Sequence, residues 1–205
     1  MTLCNNGIMP LIKDSIASHI KENMLCLENS SKQFDLIETI IKKLILARDN
    51  DNMIFVMGNG GSGSTASHFV SDLLKTAITN DSKRFKAISL VDNVPVHLAW
   101  SNDVSYDDIF SEQLQNFLKK DDIIICFSGS GNSPNIINAI EYGKQKEATC
   151  IGITGMSGGK LSKLSDHTLI VPSNDMLLIE SMHLLICHCI INAIREQGIP
   201  KFNYE

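Results

Sequence analysis

The chain has no CxxC pair, no excess of basic residues and no long uninterrupted apolar run. Its six cysteines (Cys4, Cys26, Cys126, Cys150, Cys187, Cys189) form no regular framework, so they read as reduced thiols of a cytosolic protein. Cys187-His188-Cys189 has the composition of a metal cluster. On a helix, however, residues 187 and 189 point about 200° apart and cannot close on one ion. The formal charge of −5 argues against a nucleic-acid partner, which needs clustered Lys and Arg. It leaves an anionic metabolite open, because loop amides and helix ends supply local positive potential. No apolar stretch reaches the roughly 18 uninterrupted residues of a membrane span. The opening MTLCNNGIMP lacks the charged start and apolar core of a signal peptide. These absences point to a cytoplasmic protein with neither membrane nor nucleic acid as partner.

What is present is an ordered alternation. A length of 205 residues fits one domain with a sizeable core. Residues 10–29 and 33–49 carry apolar side chains at helical spacing, with a break at Ser30-Ser31. This pair, within residues 1–50, is more than a single sheet needs as cover, so its apolar surface is expected to pack on partner subunits. From residue 51 the pattern changes. Five short runs (Met53–Met57, Ala87–Val91, Asp122–Phe127, Thr149–Thr154, Thr168–Val171) are mostly apolar on both faces, as parallel strands covered on each side are. Helical patterns near 64–78, 107–118, 134–146 and 177–197 separate or follow them. The expected fold is α/β: a doubly wound, five-stranded parallel sheet preceded by a helical pair. The tail KFNYE is expected to be mobile or docked on a neighbour.

Two glycine–serine loops follow two of these strands and open two of the helices. The first is Gly58-Asn59-Gly60-Gly61-Ser62-Gly63-Ser64 and the second is Ser128-Gly129-Ser130-Gly131-Asn132-Ser133. Glycines let backbone N–H groups turn toward an anion, and the helix N-terminus adds partial positive charge. In the second loop, Ser133-Pro134 reads as an N-cap followed by proline at the first helical position. Ser128 and Ser130 offer hydroxyls, and Gly129 and Gly131 permit tight amide packing. An ordinary strand–helix turn needs one glycine and one cap, so the surplus points to a phosphate cradle. The first loop matches G-x-G-x-x-G at Gly58, Gly60 and Gly63. A dinucleotide site would want an acidic residue about 20 positions on. Asp92 lies nearly 30 residues past Gly63, and such a site would leave the second loop unexplained.

Past the first loop, His68 and Asp72 stand at i and i+4 on one helical face. Glu180 and His188 in the last helix are eight residues apart, offset by about 80°. Each has an ordinary alternative as a cap, a solvated carboxylate or a packed histidine, and His183 is a further candidate of the same kind. Spacing alone leaves a metal or acid–base cluster open.

The chain resembles the phosphoheptose isomerases, a family built on the sugar isomerase (SIS) domain. The resemblance is carried in order by Gly58-Asn59-Gly60-Gly61-Ser62, Ala66-x-His68-Phe69, Ser101-Asn102-Asp103 and Ser128-x-Ser130-Gly131-Asn132-Ser133-Pro134-Asn135. It continues through Ile151-Gly152-x-Thr154-Gly155, Val171-Pro172-Ser173-Asn174-Asp175 and Met182-His183-x4-His188. It implies an SIS domain over residues 51–205, a homotetramer with sites between subunits, and isomerisation of sedoheptulose 7-phosphate to D-glycero-D-manno-heptose 7-phosphate through an enediol. Substrate contacts would fall to Asn59, Gly60, Gly61, Ser62, Asn102, Asp103, Ser128, Gly129, Ser130, Ser133 and Glu180. His68, Asp72, Glu180 and His188 would hold zinc, and Asp72 and His188 would form the acid–base pair. Asp72 stands where the family usually has Glu, Glu180 where it has Gln, and Thr76 where it has Arg. These departures keep open an isomerase of a different phosphosugar. A non-catalytic sugar-phosphate sensor or interaction module is the other class.

Overall fold

Strands and helices alternate from Met53 onward, and the computed structural model describes residues 11–202 of the chain. The helices are α1 (Ile12–Ser30), α2 (Phe34–Asp49), α3 (Gly60–Ser71), α4 (Val94–Asp103), α5 (Ser111–Phe117), α6 (Pro134–Gln145), α7 (Leu161–Leu164) and α8 (Met176–Glu196). The strands are β1 (Met53–Gly58), β2 (Lys86–Ser89), β3 (Ile123–Ser128), β4 (Thr149–Thr154) and β5 (His167–Ile170). All pair in parallel, in the order β2-β1-β3-β4-β5. The expected doubly wound five-stranded sheet is present.

Period-two alternation divides each strand between two cores. Ile54, Val56, Ile123, Ile125 and Phe127 face one side, where α2, α3, the turn after α3 and α8 contribute Leu44, Phe69, Leu73 and Ile190. Phe55, Met57, Ile124, Cys126 and Cys150 face the other, against Leu114 of α5 and Ile136 and Ile140 of α6. Cys126 and Cys150 are buried free thiols, as expected of small residues in strands. Burial pushes the Cys150 thiol up to about 12. Cys187 is buried and Cys189 exposed, so they point to different sides of α8. Asp122 ties the entrances of two strands together by accepting hydrogen bonds from the N–H groups of Met53 and Lys119, both at 2.8 Å.

Several boundaries differ from the sequence expectation. The helix after the first loop begins at Gly60 rather than near residue 64, so the glycines form its first turn instead of preceding it. Helix α4 was not expected: it starts with proline in its first turn, is capped by Asn93, and buries no residue, so no apolar stripe marks it. Helix α8 reaches a mean hydropathy of 1.8, long and apolar enough by composition to cross a membrane. Nine of its residues, Leu178 to Ile194, are buried in this chain, as in the core helix of a globular fold. Residues 201 and 202 bond to their own chain: the Lys201 N–H donates to Ile78 O, and Arg195 donates to Phe202 O. Residues 1–10 and 203–205 lie outside the described residues.

Helix α1 leaves Ile12, Ile16, Ile20, Met24 and Leu27 exposed along one stripe, at a spacing that keeps them on one helical face. Helix α2 instead shares the main core through Ile40, Leu44 and Ala47.

His183 is the one histidine fully buried among the described residues, and it belongs to the core rather than to the surface groups of α8. Its ring lies 5.8 Å from that of Phe127, and neither ring nitrogen has a partner of hydrogen-bonding geometry. Burial lowers its pKa from 6.5 to about 4, and the nearby Thr154 backbone only weakly opposes the shift. The folded state therefore resists a proton that the unfolded chain accepts below 6.5, so stability falls as pH drops from there toward 4. A shift of this size corresponds to about 3 kcal/mol at the acid end. His183→Leu is expected to flatten this acid limb, measured as urea midpoints at pH 7 and pH 5. Parallel losses in both proteins would contradict the assignment.

Candidate active site

The strand order reverses direction between β1 and β3, which are neighbours in the sheet. In an open parallel sheet this switch point leaves a crevice beyond the carboxyl ends of the strands. Both glycine–serine loops open there and line one cavity of about 260 Å³, with Asn59, Gly60, Gly61, Ser62, Ser128, Gly129, Ser130 and Ser133 in its wall. Phe127, Met176 and Glu180 complete it. Helix starts carry N–H groups without intrahelical partners, here from Gly60 in α3 and at Asn135 in α6, since Pro134 has none, so this is where an anion gains most.

The serine loop is held by bonds within itself and to the loop after β4. Ser128 Oγ accepts from Gly131 N and Ser130 Oγ accepts from Asn132 N, each at 3.2 Å. Gly155 N donates to Gly129 O and Leu161 N donates to Gly131 O. Gly131 has φ +64°, and a Cβ there would lie 2.1 Å from Gly158 O. Ser133 occupies the N-cap position of α6, with Pro134 following, yet its hydroxyl makes no cap bond. Ser133 lines the cavity, so its hydroxyl is left for a ligand there.

The first loop is fixed through its asparagine. Asn59 and Asn135 exchange amide hydrogen bonds of 3.0 and 2.9 Å, and the Tyr106 hydroxyl donates to Asn59 Oδ1 at 3.0 Å. Asn59 therefore joins the start of α3 to the start of α6. The contribution of Tyr106 had no signal in the spacing. Asn135, fully buried, belonged to the motif that carries the family resemblance, but nothing in the spacing tied it to Asn59. A second cavity of about 380 Å³ opens on the far side of the same loop, between Ser64, Ser67, Asp92, His97, Tyr106 and Phe110. Asn102 and Asp103 lie at the exposed end of α4, bonded to one another at 2.7 Å and outside the walls of both cavities.

Helices α3 and α8 pack side by side, and their facing side chains bring His68, Asp72 and His188 together. One ligand atom from each lies within 4.8 Å of the others. The Nε2 atoms of His68 and His188 are 3.1 Å apart, and they stand 3.4 and 3.7 Å from Asp72 Oδ2. The histidines are about half exposed, whereas the Asp72 side chain is only 15% exposed. Two imidazole nitrogens and a carboxylate oxygen are the donor set of a catalytic zinc site, with room for a further ligand. The residues thus fit a divalent ion.

Glu180 stands apart from this group. Its carboxylate lies directly over Gly61, where a Cβ would meet Glu180 Oε2 at 2.4 Å, and it faces the serine-loop cavity. Eight residues separate it from His188, about 12 Å along the α8 axis. Beyond the cluster, a further cavity of about 280 Å³ is lined by Asp72, Thr76, His188, Asn192 and Arg195.

Comparison with known proteins gives the family. Residues 20–155 match the SIS domain family model. A phosphoheptose isomerase of Helicobacter pylori is 34% identical over 93% of this chain and 97% of its own length. One from Aneurinibacillus thermoaerophilus is 35% identical over 92% of this chain and 96% of its own. The solved structure of a phosphoheptose isomerase from Francisella tularensis superposes with a TM-score of 0.86 at 30% identity, covering 91% of this chain and all of that one. Identity at this level, running nearly end to end in both partners, makes the chain a member of the SIS domain family and, within it, of the phosphoheptose isomerases.

Proposed function

We propose that the protein is an aldose–ketose isomerase converting sedoheptulose 7-phosphate to D-glycero-D-manno-heptose 7-phosphate. The observation that carries this reading is the His188–Asp72 pair on the seam between the two helices that bound the anion cradle. A heptulose 7-phosphate bears its phosphate at the opposite end from C1 and C2. A cradle and a proton-handling pair set apart along α8 suit such a substrate. A module that only senses sugar phosphates has no use for an imidazole facing a carboxylate.

In this reading the serine loop and the helix starts fix the phosphate, so remote binding energy holds C1 and C2 in place. One of His188 and Asp72 takes the proton from C1 of the ketose, giving the enediol. The other side of the pair returns a proton to C2, while the O1 proton leaves and O2 gains one. The sum is a rearrangement with no net oxidation. Asn59, Gly60, Gly61 and Ser62 flank the sugar, and Glu180 reaches it from above Gly61. Asn102 and Asp103 extend from α4, whose earlier turns wall the second cavity. His68, Asp72 and His188 would hold zinc, without Glu180, whose carboxylate stands over Gly61; when bound, the ion would polarise the carbonyl oxygen and stabilise the enediolate. Zinc ligation and proton transfer draw on the same atoms of Asp72 and His188, so the pair divides these roles in turn.

A homotetramer with sites at subunit interfaces, and a cytoplasmic location, belong to the same proposal. The exposed apolar stripe of α1 supports association, because a stripe of that length gains by being covered. Residues 1–50 would then serve as the assembly element and residues 51–205 as the SIS domain.

His188→Asn is expected to keep the fold and phosphosugar binding while turnover drops about 100- to 10,000-fold, the usual contribution of a general acid–base group. Rates like those of the wild type would remove His188 from the chemistry. Replacing Ser130 and Ser133 with alanine should raise KM first, about tenfold or more for bonds to a charged phosphate. A fall in kcat at constant KM would contradict the cradle. Proton exchange at C1 and C2, followed by NMR across a panel of ketose phosphates with and without a chelator, tests both the substrate and the zinc. Exchange is expected with the heptulose phosphate and should weaken on chelation. No exchange with any sugar would support the sensor.

A further inference from the structure

Asp72 begins a π-helical turn, Asp72–Thr76, that extends α3. Such turns are rare and concentrate at functional sites. Here the turn carries a hydroxyl whose partner is a side chain rather than the backbone. A threonine in an ordinary helix bonds its hydroxyl back to the carbonyl four residues earlier. In this turn the Asp72 carbonyl is taken by Ala77 N at 2.8 Å, five residues on. The Thr76 hydroxyl reaches past the backbone and donates to Asp72 Oδ1, also at 2.8 Å.

Each oxygen of Asp72 then has a separate task. An ionised carboxylate only accepts, and a hydroxyl has one proton to give, so the direction of this bond is fixed. Oδ1 is occupied by Thr76, and Oδ2 is the atom that faces His68 and His188. The Asp72 side chain is only 15% exposed, so few other donors compete for Oδ1. The χ1 restriction of a β-branched side chain adds to the fixity, because Thr76 has few other rotamers to adopt.

We propose that Thr76 is a positioning residue for the Asp72–His68–His188 centre: its hydroxyl holds Oδ1 and thereby commits Oδ2 to the two imidazoles. The proposal rests on the isomerase and zinc reading above and deepens it. Partners that orient a ligating carboxylate typically contribute 10- to 100-fold in metal affinity or activity.

The test is zinc binding by the full chain, measured by competition with a chromophoric chelator, for wild type, Thr76→Val and Thr76→Ser. Thr76→Val keeps the shape and removes the donor. It should weaken zinc binding about 10- to 100-fold, with a thermal midpoint near that of the wild type. Thr76→Ser restores the donor and should return to within about threefold, the remainder reflecting its freer rotamers. If Thr76→Val does not fold, Thr76→Ala carries the same comparison. Equal affinity in wild type and Thr76→Val, or a serine variant as weak as the valine one, would overturn the proposal. A wild-type chain that binds no zinc would instead sink the metal reading. In that case the split between kcat and KM decides: a loss of kcat in Thr76→Val that serine rescues sustains the positioning role, and unchanged kcat ends it.

Discussion

Everything at the site depends on the parallel pairing of β1 with β3. The five-residue register from Ile54–Ile123 to Gly58–Phe127 sets the ends of the two strands side by side. The chain departs from those ends to opposite faces of the sheet, into α3 on one side and α6 on the other. A crevice between the two helix starts follows from the connectivity, and the glycines and serines only shape it. Slipping this pairing by one residue would exchange the two cores and part the loops at the same time.

Much of this was legible in the sequence because the signals were local. Apolar runs of four to six residues marked all five strands to within a residue or two. Helical periodicity placed α1, α2, α6 and α8 closely. His68 and Asp72 could be set on one face from spacing alone. Their meeting with His188 could not, because it depends on α3 packing against α8, a contact between elements more than one hundred residues apart. The family resemblance, rather than any pattern in the residues, anticipated that meeting.

The remainder was hidden for reasons that are physical and specific. Helix α4 has no buried face, so there was no periodicity to find. Asn59 read as a residue free to bind substrate, whereas its amide oxygen is shared by Asn135 and Tyr106 and its role includes holding two loops together. Glu180 read as a companion of His188, yet the absent side chain at Gly61 gives its carboxylate a seat next to the serine loop. In each case the deciding contact comes from a distant part of the chain and leaves no trace in the local sequence.

The contact between the serine loop and the loop after β4 also limits how this protein can change. Gly131 meets the Gly158 carbonyl, and a Cβ on Gly159 would lie 2.5 Å from Ser130 O and 2.6 Å from Gly131 O. Backbone lies against backbone, with no side chain between to be trimmed. In most packed contacts a larger residue on one side can be balanced by a smaller one on the other. Here both sides already stand at the minimum, so neither loop can absorb a change in its neighbour. Room for change therefore lies elsewhere, in the side-chain walls contributed by α4 and α8.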